Sequence, residues 1–201
     1  MPYASWVSPN KQSGNGNDTV QWAGSQHTGR SARQTTATFS ASGVSPKTLT
    51  IIQAGKTEFV VIDDTAAVSK LGGTLTIHGR SNSSKLTFAL TGNNEIGLVL
   101  PASYLANSVL TQNGVAITGD PGAIQEYEFE ITFNNIPANT TVDSLVSQLT
   151  VTTNNNVSAT CDITQAEADA YLDIAPTTIN LDAAGTAVNV AVTSNTYWTI
   201  S

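Results

Sequence analysis

Two stretches that lie 112 residues apart decide how this chain is read: Thr50 to Thr65, "TIIQAGKTEFVVIDDT", and Asp162 to Thr177, "DITQAEADAYLDIAPT". Gln53 falls on Gln165, Phe59 on Tyr171 and, further along, Gly73 on Gly185. One inserted residue later, Ser81-Asn82 falls on Ser194-Asn195 and Lys85 on Trp198. Self-similarity at a fixed offset means tandem modules, and here it sets joints near residues 57 and 169.

Within the modules, β-branched or alternating runs recur between turn residues. Examples are Thr35 to Ser40, Thr48 to Gln53, Glu58 to Ile62, Gly73 to Gly79, Lys85 to Leu90, Tyr127 to Phe133, Ser158 to Ile163 and Ala187 to Thr193. Short strands at this spacing, punctuated by Gly, Asn, Pro and Asp, predict an antiparallel β-sandwich rather than alternating strands and helices. Three pieces tolerate a turn or two of helix: Ala102 to Ser108, Val142 to Gln148 and Ala166 to Ala170. The fold class expected is therefore all-β, as tandem immunoglobulin-like antiparallel β-sandwich modules.

The middle module, residues 58–168, carries extra chain. Lys85 to Gln165 spans 80 positions where the equivalent Trp6 to Gln53 spans 47. The excess falls near 93–125, where "PASYLANSVLTQNGVAITGDPG" interrupts the strand rhythm. An insertion of that length is either a packed decoration or a partner-binding surface.

Composition narrows the function. Among 201 residues, 8 Lys and Arg face 15 Asp and Glu, a net charge of −7 that repels phosphate backbones and anionic membranes, so neither nucleic acid nor membrane is expected as a partner. Six of the eight basic residues, Lys11, Arg30, Arg33, Lys47, Lys56 and Lys70, fall in the first 70 positions, a polarity that can orient end-to-end assembly. The one cysteine, Cys161, rules out an internal disulfide and reads as a buried small hydrophobe.

Chemistry-bearing clusters are sparse. His27 and His78 stand without Cys, Asp or Glu at ligand spacing, and Asp63-Asp64 reads as a strand-end turn because neighbouring residues in a strand face opposite ways. Ser13 to Asp18, "SGNGND", holds oxygen groups but not the spacing of a calcium loop. No catalytic residue, cofactor or metal is expected, and the chain is read as not an enzyme. The residues placed as contacts for a glycan or a partner are the aromatics Trp6, Trp22, Tyr104 and Trp198.

The modules resemble the BACON family of immunoglobulin-like domains, found in Bacteroidetes proteins and in crAss-like phages. Residues 171–201, "YLDIAPTTINLDAAGTAVNVAVTSNTYWTIS", resemble the family's opening half: an apolar strand, a proline, a glycine, a Val-rich strand, then Ser-Asn and Trp-x-Ile-Ser. Residues 5–54 resemble its closing half, with Trp6, a Gly-rich loop, the Thr28-Gly29-Arg30 turn, a Thr-rich strand and a last strand ending in Gln53. The middle module keeps Gly73, Ser81-Asn82 and Gln165 but has Lys85 where the family shows Trp. The division expected is thus a closing half at 1–57, a complete module at 58–168 and an opening half at 169–201.

Two functional readings follow. In the first, the chain is a virion component of a phage: a head fibre, capsid decoration or tail appendage, made in the host cytoplasm because Met1 to Trp6 shows no signal peptide. Its partners are then copies of itself, as a dimer or trimer, and other virion proteins such as the capsid. In the second, it is a carbohydrate- or mucin-binding spacer of a secreted surface protein, located outside the cell. Under either reading the two end halves expose strand edges, so residues 5–54 are expected to pair with strands of another copy, another module or a docking protein.

Overall fold

A computed structural model describes residues 3–201, so Met1 and Pro2, at the start of the expected 1–57 half, lie outside the described residues. The described chain is all-β, with mainly antiparallel sheets in a sandwich-like arrangement and one 3-10 turn at Pro121–Ala123. In chain order the strands are β1 (Val7–Pro9), β2 (Trp22–Gly24), β3 (Arg33–Phe39), β4 (Lys47–Gln53), β5 (Val60–Ile62), β6 (Thr65–Val68), β7 (Gly73–Ser81) and β8 (Leu86–Thr91). There follow β9 (Ser103–Ala106), β10 (Val109–Gln112), β11 (Tyr127–Ile136), β12 (Leu145–Thr153), β13 (Ser158–Gln165), β14 (Leu172–Ala175) and β15 (Ala191–Ser194).

Residues 60–165 build the main core. One sheet runs β10-β9-β11-β7-β5 and the other β6-β13-β12-β8. The alternation that predicted these strands also fills the space between them. Tyr127, Phe129, Ile131 and Phe133 of β11 point inward, as do Leu149 and Val151 of β12 and Cys161 and Ile163 of β13. Phe88 sits at the centre, its ring 4.8 Å from Tyr104 and 5.6 Å from Phe129. Each large apolar side chain among them contributes roughly 1.5–3 kcal/mol by leaving water.

Two of the pieces expected to tolerate helix are extended instead. Within Ala102 to Ser108, Tyr104 and Ala106 are buried while Leu105 between them is more exposed, a period of two that suits a strand docked on the edge of β11. Asn107 and Ser108 take positive φ, 50° and 63°, and close a two-residue hairpin to β10. Val142 to Gln148 leads into β12, where Ser147, Leu149 and Val151 alternate inward. In both places the neighbouring strand overrides local helix propensity. The insertion near 93–125 therefore extends the five-stranded sheet with a hairpin before the chain returns through Pro121–Ala123.

The offset of 112 reappears in the strand pairing. Arg33↔Gln53 through Phe39↔Lys47 on β3–β4 matches Leu145↔Gln165 through Val151↔Ala159 on β12–β13, residue for residue. Leu172↔Ser194, Asp173↔Thr193 and Ile174↔Val192 on β14–β15 repeat Val60↔Ser81, Val61↔Arg80 and Ile62↔Gly79 on β5–β7, the second strand carrying the one inserted residue. Register is set by which face is buried, so equal registers mean equivalent positions in equivalent sheets.

Cys161 is completely buried, and burial, reinforced by the carboxylates of Asp63, Asp162 and Asp64, pushes its thiol up to about 11. At pH 8 the thiol in the folded protein stays protonated as well as shielded, whereas an unfolded thiol is partly ionised. Alkylation at pH 8 is expected to be negligible in buffer and rapid in strong urea, read by mass spectrometry. Leu149→Ala, which opens a cavity at a fully buried site, is expected to lower stability by about 2–5 kcal/mol in urea titration and to bring that reactivity to lower urea.

Candidate functional site: repeated joints and open apolar faces

The polar residues that the repeat singled out meet where one module passes into the next. Asn82 is completely buried at the end of β7. Its side-chain Nδ2 donates to the carbonyls of Thr28 (3.2 Å), Lys56 (3.3 Å) and Thr57 (3.3 Å), and its Oδ1 accepts the Phe59 amide at 3.0 Å. Beside it, the Ser81 hydroxyl donates to the Phe59 carbonyl at 2.6 Å and accepts the Ser83 amide at 3.0 Å. The Lys56 amide donates to the Gly29 carbonyl at 2.8 Å. One side chain thus ties the turn of the first half, the linker and the first strand of the middle module.

The second joint repeats these bonds except the one to the Lys56 carbonyl. Asn195 Nδ2 donates to the carbonyls of Thr140 (3.4 Å) and Asp169 (3.0 Å), and its Oδ1 accepts the Tyr171 amide at 3.0 Å. The Ser194 hydroxyl donates to the Tyr171 carbonyl at 2.8 Å and accepts the Thr196 amide at 3.1 Å, while the Ala168 amide donates to the Thr141 carbonyl at 2.8 Å. The closing glutamines match as well: Gln53 Nε2 donates to the Ser25 carbonyl at 2.9 Å and Gln165 Nε2 to the Pro137 carbonyl at 2.8 Å. Asn195 is less enclosed than Asn82.

The first joint has a further clamp, built from the insertion. The Arg30 and Ser31 amides donate to the carbonyls of Gly122 (2.8 Å) and Ala123 (2.9 Å), and the Arg30 guanidinium reaches the Asn82 carbonyl at 2.6 Å and the Asp120 carboxylate. The Glu126 amide donates to the Thr28 hydroxyl at 3.1 Å, and its carboxylate lies between Lys56 (3.7 Å) and Arg80 (3.3 Å). Two glycines permit the approach. A Cβ on Gly29 would stand 2.2 Å from the Ile124 backbone, and one on Gly122 the same distance from the Asn82 carbonyl oxygen. The Ser81-Asn82 and Gln53 signals were visible in the repeat, but the partnership of Arg30 with Asp120 crosses 90 residues and left no sequence pattern.

The aromatic residues placed as contacts do not converge on one site. Tyr104 is a correction: only 2% exposed, it packs on Phe88 in the core, and burial raises its phenol to about 12, so it offers no face to a ligand. Trp6 is half-buried under the Arg33 guanidinium, 4.6 Å from the ring centroid. Trp22 lies in the first half between Tyr3 (5.3 Å, edge-on) and Phe39 (6.5 Å). Trp198 is 42% exposed at the other end of the chain.

Trp22 and Trp198 mark apolar surface in the first half and in the last segment. In the first half, a groove of about 600 Å³ is lined by Tyr3, Val20, Trp22, Phe39 and Val44, with Lys11, Asp18 and Lys47 around it. In the last segment Leu172, Ile174 and Leu181 are exposed at 58%, 44% and 62%. Contiguous exposed apolar surface marks interaction sites in soluble proteins. His27 and His78 serve locally, the first bonded to the Ser31 carbonyl at 2.7 Å and the second beside Glu130 at 3.6 Å. Among the described residues no group of three or more His, Cys, Asp and Glu is placed to hold a metal ion.

Asn82→Ala leaves three carbonyls and one amide of the first joint without their side-chain partner, a loss of roughly 1–3 kcal/mol. The expected outcome is early proteolytic cleavage between residues 24 and 57 with the middle core still folded; Asn195→Ala, at the more open joint, is expected to cost less. Compared with known proteins, the chain matches no protein-family model and no curated protein.

Proposed function

We propose that this protein is a non-enzymatic structural component of a bacteriophage virion, a head fibre, capsid decoration or tail appendage, assembled from immunoglobulin-like modules of BACON type. The observation that carries the reading is the repeated joint: the same amide, hydroxyl and backbone bonds recur around Asn82 and Asn195. A side-chain amide that bonds both the preceding turn and the following strand resists bending between modules, a property suited to a stalk or fibre. The resemblance of residues 5–54 and 171–201 to halves of BACON modules supports the phage setting. Module-to-module or subunit-to-subunit strand pairing then assembles the structure, with capsid or other virion proteins as the docking partners.

The test is composition of the particle. Purified virions of the phage that encodes the chain are expected to contain it at a fixed ratio to the major capsid protein by mass spectrometry, with antibody label on heads or tails. Its absence from purified particles would overturn the reading.

A second reading, a carbohydrate- or mucin-binding spacer of a secreted Bacteroidetes surface protein, is favoured by one observation, the groove that Trp22 lines together with Lys11 and Asp18. It predicts glycan-array binding lost in Trp22→Ala. An array without binding counts against it.

A further inference from the structure

The central sandwich is a template for how the two ends of this chain fit together. In it, β5 lies against β12 and β13, and β6 adds in parallel to the edge of β13 with Asp162↔Thr65, Ile163↔Ala66, Thr164↔Ala67 and Gln165↔Val68. The first half holds β3–β4, the register equivalents of β12–β13, and the last segment holds β14–β15, the equivalents of β5–β7. Carrying the offset of 112 through the parallel pair sets Thr50, Ile51, Ile52 and Gln53 beside Thr177, Thr178, Ile179 and Asn180. Among the described residues β4 has β3 as its one neighbour, residues 177–180 pair with nothing, and Ile52 and Ile179 are 66% and 40% exposed.

Building on the reading of the protein as a self-assembling part, we infer that residues 172–194 of a second copy dock on the β1–β4 half. Residues 177–180 extend β4 at its outer edge, and β14 crosses β3 and β4 as β5 crosses β13 and β12. Ile174 and its neighbours then cover apolar surface that the first half leaves exposed. Charge favours the pairing: residues 1–57 hold Lys11, Arg30, Arg33, Lys47 and Lys56 against Asp18 alone, while residues 169–201 hold Asp169, Asp173 and Asp182 and no basic residue. Opposite charge on the two surfaces steers their encounter.

Geometry separates the first half from residues 172–194 of its own chain and so assigns the pairing to residues 172–194 of another copy. The first joint bonds at Asn82 and Glu126, where β7 ends and β11 begins. The second bonds at Thr140 and Lys70, past the end of β11 and before the start of β7. Ten residues of β11 at ~3.3 Å each separate them by about 30 Å. Donor and acceptor therefore sit at opposite ends of the middle block; head-to-tail pairing between copies propagates into rings or filaments, and mutual pairing closes a dimer.

The test links defined positions between copies. Ile52→Cys and Ile179→Cys variants of the 201-residue chain, carrying tags of different mass, are mixed and oxidised; Cys161 stays buried and out of the reaction. A covalent heterodimer is expected, together with masses above the 20.9 kDa monomer in light scattering of the unmodified chain as its concentration rises. Adding Phe39→Asp to the acceptor is expected to cut the link yield about tenfold, equivalent to 1.4 kcal/mol, and Val109→Cys paired with Ile179→Cys is expected to give no link. No heterodimer, or a monomeric double Cys variant closed within one chain, would overturn the inference. So would a monomer whose open faces are covered by residues encoded before or after this sequence. A monomer still found in virions sinks this inference and leaves the virion reading standing, whereas linked copies of a protein absent from virions do the reverse.

Discussion

The buried amide of Asn82 is the constraint on which the arrangement of this chain depends. A primary amide has two hydrogens to donate and an oxygen to accept with, and here three carbonyls share the hydrogens while the Phe59 amide uses the oxygen. Asn82 is fully buried, and a buried polar group left without its partner costs the desolvation of that group. Because those carbonyls belong to the turn at Thr28 and to the linker at Lys56 and Thr57, satisfying one side chain fixes the path of the backbone between two sheets. Ser81, next to it, holds the strand that follows. The same logic at Ser194-Asn195 makes the joint a repeated part.

Ion pairs add less to this. Arg30 with Asp120 and Glu126 with Lys56 and Arg80 are partly solvated, and such pairs contribute modestly. Their part is positional: Arg30 holds the insertion against the preceding turn, where Gly29 and Gly122 let two backbones come close. The long excursion near 93–125 thus does two jobs of one kind. Its hairpin widens the five-stranded sheet, and its final turn braces the neighbouring half.

Stability is distributed unevenly along the chain. Between residues 60 and 163 two sheets close over one continuous core around Phe88, Phe129 and Leu149. The segments on either side present strands with apolar side chains on view, Phe39 and Ile52 on one and Leu172 and Ile174 on the other. A β-sheet with an unpaired edge and an uncovered face is a surface prepared for another strand. Interest therefore lies in what those faces meet; His27 bonds the Ser31 carbonyl, His78 lies beside Glu130 and Cys161 packs in the core.

Much of the architecture was legible from residues alone. The recurrence of Gln53 at Gln165 and of Ser81-Asn82 at Ser194-Asn195 reported both the period and the polar residues of the joints, because a buried amide in a fixed setting tolerates few replacements. Alternation in Tyr127 to Phe133 and Ser158 to Ile163 reported strands with one face inward. Local sequence misjudged Ala102 to Ser108 and Val142 to Gln148, whose extended form comes from pairing with strands distant in the chain. It also placed Tyr104 among surface aromatics, since whether a ring is buried depends on which sheet closes over it. Periodicity and local polarity are properties of neighbours along the chain, and these the sequence determined by itself. The Arg30–Asp120 brace, 90 positions apart, the bonds shared at Asn82, 23 to 54 positions apart, and the groove at Trp22 join residues on separate strands and turns, so only the tertiary structure, which brings those elements together, decided them.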